Sequence, residues 1–184
     1  MKKTLLSVGI AAVVMAGQAQ AQTVLNFAGN VTSTTCALVP EVGGAQGASI
    51  NLGDVAPGQA GTAQKIVLKP ALASVAGCGD ITAKDVRVSW VADFDNNGLA
   101  NKTGSATGSW VELKATNAKT ANTLVKLGAE NVDFLGSEII TMSNDTPPVP
   151  QLTTDGGLKF DATLNAGTAP GTYVSTASFS VAYN

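Results

Sequence analysis

The sequence predicts an all-β fold, an antiparallel sandwich of the immunoglobulin-like kind with about seven strands. Three observations carry this. Apolar and polar residues alternate with period two in several runs, the pattern of a strand with one buried face. After the first twenty or so residues, no stretch holds apolar residues at i, i+3, i+4 and i+7 over three turns. Clusters of Gly, Pro, Asn and Asp separate the runs, supplied by 20 glycines and 7 prolines.

Three alternating runs are the clearest. Val86, Val88, Trp90 and Ala92 share one face, opposite Arg87 and Ser89. Leu158, Phe160, Ala162 and Leu164 alternate with Lys159, Asp161, Thr163 and Asn165. Tyr173, Ala177, Phe179, Val181 and Tyr183 oppose Thr172, Thr176, Ser178 and Ser180, so a single strand is expected from Tyr173 to Tyr183. Shorter strands are expected at Ile50–Leu52, Ile66–Leu68, Val111–Ala115, Leu124–Leu127 and Glu138–Met142. Turns are expected at Pro57-Gly58, Gly77–Asp80, Asn96–Gly98, Asp145–Pro150, Asp155–Gly157 and Pro170-Gly171. No internal repeat, linker or low-complexity tract divides the chain.

The first residues set the compartment. Lys2 and Lys3 precede a mostly apolar stretch from Leu5 to Met15, and Ala19-Gln20-Ala21 places small residues at −3 and −1 of a cleavage site. This is the pattern of a secretory signal peptide spanning 1–21. Its apolar part is about half the ~20 residues a membrane-spanning helix needs. Removing those 21 residues from 184 leaves 163, the size of one domain. In an exported chain the two cysteines, Cys36 and Cys78, read most simply as one disulfide, with a pair of free thiols as the alternative.

Charge and composition exclude several function classes. Without Lys2 and Lys3, 9 basic residues stand against 13 acidic ones, a formal net charge of −4. No basic cluster could neutralise a run of phosphates, so nucleic acid is not expected as a partner. The chain has no histidine, which removes the usual general base, the Ser-His and Cys-His nucleophile pairs and the commonest metal ligand. No phosphate-cradling glycine motif occurs, and no carboxylate pair is indicated by spacing. No enzyme activity, cofactor or metal is expected.

One segment carries part of a calcium-loop pattern. Asp93, Asp95 and Asn97 supply side-chain oxygens at alternate positions and Gly98 stands sixth, but Gly104 occupies the twelfth position, where a bidentate Glu belongs. An Asx-rich turn between strands explains the same residues.

The two ends together resemble a known family. The opening Leu25-Asn26-Phe27-Ala28-Gly29-Asn30-Val31 with Cys36 soon after, the Ile50–Gly53 segment, the second cysteine, Gly171 at the fourteenth position from the C-terminus and the penultimate Tyr183 are similar to chaperone–usher pilins, especially major subunits of the type 1 fimbrial class. The resemblance spans the chain from residue 22 onward. It departs from some type 1 major subunits in the short stretch of 14 residues, 22–35, before Cys36.

The resemblance implies an immunoglobulin-like sandwich lacking its final strand, completed by donor-strand exchange. It implies a donor extension at 22–32 and a pilin domain at 33–184. Leu25, Phe27, Gly29 and Val31 would face a neighbour's groove; the bland alternative is that they form the first strand of the domain's own sheet. Gly171, Tyr173, Phe179, Val181, Tyr183 and Asn184 would form the strand that meets the chaperone and borders the acceptor groove. With no further segment after Asn184, that strand's outer edge is expected to need a partner. The implied partners are identical or homologous pilin subunits, a periplasmic chaperone and an outer-membrane usher, on a route through the periplasm to a fimbria on the cell surface that contributes to adhesion. A shaft subunit that itself binds a host glycan is the alternative, with Trp90, Trp110 and the Asp93–Lys102 loop as the places for a sugar.

Overall fold

The computed structural model describes residues 36–153 and 155–184. In chain order these residues form strands β1 (Leu38–Val42), β2 (Ala45–Gln46) and β3 (Gln64–Pro70), a 3-10 stretch at Leu72–Ile81, then β4 (Asp85–Ala92), β5 (Leu99–Ala100), β6 (Trp110–Ala115), β7 (Thr123–Val125) and β8 (Asn131–Leu135). A 3-10 turn at Gly136–Glu138 leads to β9 (Ile140–Met142), β10 (Pro150–Leu152), β11 (Leu158–Asn165) and β12 (Ala177–Tyr183).

Two antiparallel sheets face each other. One runs in the order β2-β1-β3-β11-β6-β5, with β7 also on β6; the other is β12-β4-β8, and β9 and β10 form a separate hairpin. The inner faces meet through aromatic rings. Trp90 of β4 stands edge-on to Phe160 of β11 at 5.2 Å between centroids, and Phe134 of β8 meets the same ring at 5.5 Å. Phe160 and Phe134 are fully buried. Such ring pairs contribute about 0.5–1.5 kcal/mol beyond the area they bury.

The alternation in the sequence places two of the three clearest strands correctly, β4 and β11. Every second residue of β11 is buried, and β4 buries Val86, Val88 and Trp90 while Arg87 turns outward. There Arg87 lies directly across from Asp133 of β8 and binds its carboxylate through two nitrogens at 2.7 and 2.8 Å.

Three expectations are corrected. Ile50–Leu52 is not a strand; the Asn51 side chain accepts a hydrogen bond from the Gly53 amide at 3.0 Å, which turns the backbone away from any ladder. Glu138 belongs to a 3-10 turn, and the strand begins at Ile140. The last strand begins at Ala177, not at Tyr173, because its partner β4 ends at Ala92, opposite Ala177. Residues before it bind elsewhere: the Val174 amide donates to Asn101 Oδ1, and Asn101 Nδ2 donates to the Thr172 carbonyl. The short strands β1, β8 and β10 and the 3-10 stretch were not foreseen; Asn131–Leu135, for example, carries its buried pattern on Val132 and Phe134 alone.

Cys36 and Cys78 form a disulfide that ties the residues before β1 to the 3-10 stretch. The bond spans 42 positions, for which chain entropy puts the stabilisation at roughly 4 kcal/mol. Gly136 shows why one turn is fixed in sequence: a Cβ there would sit 1.6 Å from the Ile81 carbonyl oxygen.

Candidate assembly groove

A long apolar cleft opens between the two sheets along one side of the sandwich. One wall is β1, which pairs with β3 over its whole length and on its outer edge with β2 at Glu41 and Val42, where the Gly47 amide also reaches the Pro40 carbonyl. The other wall is β12, which pairs with β4; no strand among the described residues pairs with its outer edge. The cleft has a volume of about 1360 Å³, larger than the roughly 300–1,000 Å³ of small-molecule sites. A seven-residue strand such as β12 runs for about 20–24 Å.

The walls and floor follow from local sequence. Cys36, Leu38, Pro40 and Val42 line the β1 side at a spacing of two. Pro40 has no amide hydrogen to offer, and on the outer side of β1 its carbonyl accepts from the Gly47 amide at 3.2 Å, so the proline sits where no ladder donor is needed. Phe179, Val181 and Tyr183 line the β12 side, again at a spacing of two. Ile66, Leu68, Trp90, Leu113 and Ala162 supply the floor. Phe179 packs on Trp90 at 5.4 Å, joining wall to floor.

The chain's two tyrosines each donate a hydroxyl hydrogen bond to a distant backbone carbonyl. Tyr183 Oη donates to the Cys36 carbonyl at 2.7 Å, and Tyr173 Oη donates to the Leu99 carbonyl at 2.9 Å. Burial pushes both phenols up to about 12; for Tyr173 the negative charge of Asp95 adds to the effect. Both hydroxyls therefore stay protonated, as donors, well beyond neutral pH.

The residues singled out in the sequence are distributed as follows. Phe179, Val181 and Tyr183 come together on one wall, and Tyr173 joins the lining from outside the strand. Gly171 lies at the Ser105–Ala106 loop instead, where a Cβ would come 2.6 Å from the Ala106 nitrogen. Asn184 is exposed and pairs backbone to backbone with Asp85, at 2.9 and 3.0 Å. Leu25, Phe27, Gly29 and Val31, with the whole of 1–21 and 22–32, lie outside the described residues. The β1 wall went unrecognised in the sequence. Its signal is the alternation Cys36, Leu38, Pro40, Val42, obscured by Val39 and by a proline that reads as a strand breaker.

The other candidates resolve locally. Asp95 Oδ1 accepts from the amides of Asn97 and Gly98, at 2.7 and 2.9 Å, which is an Asx turn. Asp93 pairs with Lys102 at 2.7 Å. Trp90 is buried, packed against Phe160 and Phe179, so its ring is not open to a sugar. Trp110 is half-buried on β6.

No family model matches the chain. Two full-length relatives from Escherichia coli do. It is 34% identical over 184 residues to the F107 fimbrial protein, covering 100% of this chain and 99% of the relative. The chain belongs to the fimbrial proteins. A second member, the K99 fimbrial protein, is 32% identical over 196 aligned positions, with 100% and 99% covered. A distant likeness to a chain from a solved chaperone–usher pilus, 19% identical with a TM-score of 0.42, covers 90% of this fimbrial protein and 97% of that chain; the family rests on the two sequence relatives alone. The protein is accordingly a structural subunit of a surface fimbria, its partners include other fimbrial subunits, and it is not an enzyme.

Proposed function

We propose that this fimbrial subunit polymerises by donor-strand exchange, its cleft receiving the segment 22–32 of the next subunit. The observation that carries the reading is the apolar cleft between the outer edges of β1 and β12. An edge of this kind is a template for an added strand, with backbone bonds for affinity and alternate side-chain sites for specificity. Leu25, Phe27 and Val31 supply apolar side chains on one face of an extended strand, two and four residues apart, each contributing about 1.5–3 kcal/mol on burial before ordering costs. Gly29 has no side chain and marks the one site where the fit is to backbone alone.

Export begins with removal of residues 1–21. A periplasmic chaperone covers the cleft with its own strand, binding along Tyr173, Phe179, Val181 and Tyr183, with Gly171 and Asn184 at the two ends of that segment. An outer-membrane usher then exchanges that strand for the neighbour's extension, and the finished fimbria contributes to adhesion.

The test is Gly29→Leu in the exported chain. The subunit should still accumulate in the periplasm while surface fibres, counted by electron microscopy, disappear. Normal fibres from Gly29→Leu would count against the assignment. As a complement, a copy of residues 22–32 placed after Asn184 should turn the isolated subunit into a soluble, stable monomer.

A further inference from the structure

We propose that the hydrogen bond between Tyr183 and Cys36 is an end stop that fixes where an incoming strand comes to rest in the cleft. The inference rests on the donor-strand reading above and adds a residue that sets its register.

The problem it solves is a slip by two. A one-residue slip turns every side chain of a strand to the wrong face, so alternation alone forbids it. A two-residue slip keeps the faces. Leu25, Phe27, Gly29 and Val31 would each move one site along, by about 7 Å, and still point inward. A groove that is open at both ends and apolar throughout has little to prevent this.

The Tyr183 end is not open. Tyr183 is the last residue of β12, and Cys36 stands two residues before β1, so their 2.7 Å bond joins the two walls of the cleft. Both partners are held. Immediately after Tyr183, the Asn184 and Asp85 backbones exchange two hydrogen bonds. Cys36 is tethered through its disulfide to the fully buried Cys78. Burial pushes the phenol up to about 12, so the hydroxyl keeps the proton it donates at neutral pH. Tyr173 does not duplicate the arrangement. Its hydroxyl reaches Leu99 on β5, at the opposite edge of the large sheet from β1, and so does not join the two walls.

Tyr183→Phe keeps the ring and removes the bridge. The experiment replaces Phe27 with the photo-cross-linker benzoylphenylalanine in the full-length protein and maps its attachment points in purified fibres. Fibres with Tyr183 intact should show one site of attachment. Tyr183→Phe fibres should show a second, displaced by two residues towards Cys36, its share raised roughly 3- to 10-fold, the effect of losing one hydrogen bond. Two sites with Tyr183 intact, or one unchanged site in Tyr183→Phe, would overturn the end stop. Should Tyr183→Phe yield no fibres, the same mapping is made in the monomer carrying residues 22–32 after Asn184, where tethering raises the effective concentration of the strand. A complete absence of cross-links from position 27 to β1 or β12 with Tyr183 intact would instead sink the donor-strand reading itself, so the two failures are distinguishable.

Discussion

Strands β11 and β12 come from the same pattern in the sequence and end in different situations. β11 is flanked on both edges, by β3 and β6, and buries every second side chain. Among the described strands β12 pairs with β4, and of its inward residues Val181 is buried while Phe179 and Tyr183 are only partly buried at the cleft. Alternation reports which face of a strand is turned inward. It does not report how many neighbours the strand has, because edge pairing uses backbone groups common to all residues. The lesson is that a strand flanked on both edges and one at the rim of a cleft read alike in one dimension.

The largest expected effect separates the two directly. Phe160→Ala, in the fully buried ring cluster, should cost about 3–5 kcal/mol in a denaturant titration. Phe179→Ala, on the cleft wall, should cost the isolated subunit less than half as much and weaken assembly instead. Equal losses of stability would erase the distinction.

Filling the cleft should make the strands converge. In the subunit with residues 22–32 placed after Asn184, amides of β12 should exchange with deuterium roughly 100-fold more slowly than in the uncomplemented chain. That follows from three or so added hydrogen bonds at about 1 kcal/mol each. Amides of β11 should change far less. Hydrogen exchange read by mass spectrometry checks both.

Alkaline titration probes the cleft from the side of its tyrosines. Both have folded-state values raised from 10.0 to about 12, because burial opposes the phenolate. Their contribution to stability is therefore whole below pH 10 and is lost as the pH rises towards 12. Tyrosinate absorbance and loss of β-structure should appear together in that window. Ionisation of both phenols near pH 10 with the fold intact would show that neither is enclosed.

The smallest effect is expected at the outer face of the β12-β4-β8 sheet. Arg87 holds the Asp133 carboxyl below its ordinary 3.8, chiefly through their hydrogen bond, so the pair favours the folded state above that pH and loses its contribution as the acid protonates. Both groups are well exposed and screened by salt. Arg87→Gln should shift the denaturation midpoint only slightly, and less still at high ionic strength.

Much of this was legible in the sequence where one side chain decides. The inner face of β4 is marked by Val86, Val88 and Trp90, and the Asx turn at Asp95 by its own carboxylate. The β1 wall was not legible, since a proline at its centre suggests a break, and only the fold shows that Pro40 lies on an edge strand where its carbonyl, not an amide, is used, by Gly47. Nor was the start of β12. Nothing in residues 172–176 announces that β4 will have ended, or that Asn101 will take up backbone groups of Thr172 and Val174 from more than 70 positions away.

By itself, the sequence determined the class of fold, the inward faces of the long strands, the cysteine pair and the absence of histidine chemistry. These follow from residue identity and from a period that local geometry imposes. Tertiary structure alone decided that β1 and β12 stand apart with an apolar cleft between them, and that Tyr183 reaches across to Cys36. Both facts depend on how two sheets pack, a relation between residues nearly 150 positions apart that no local pattern encodes.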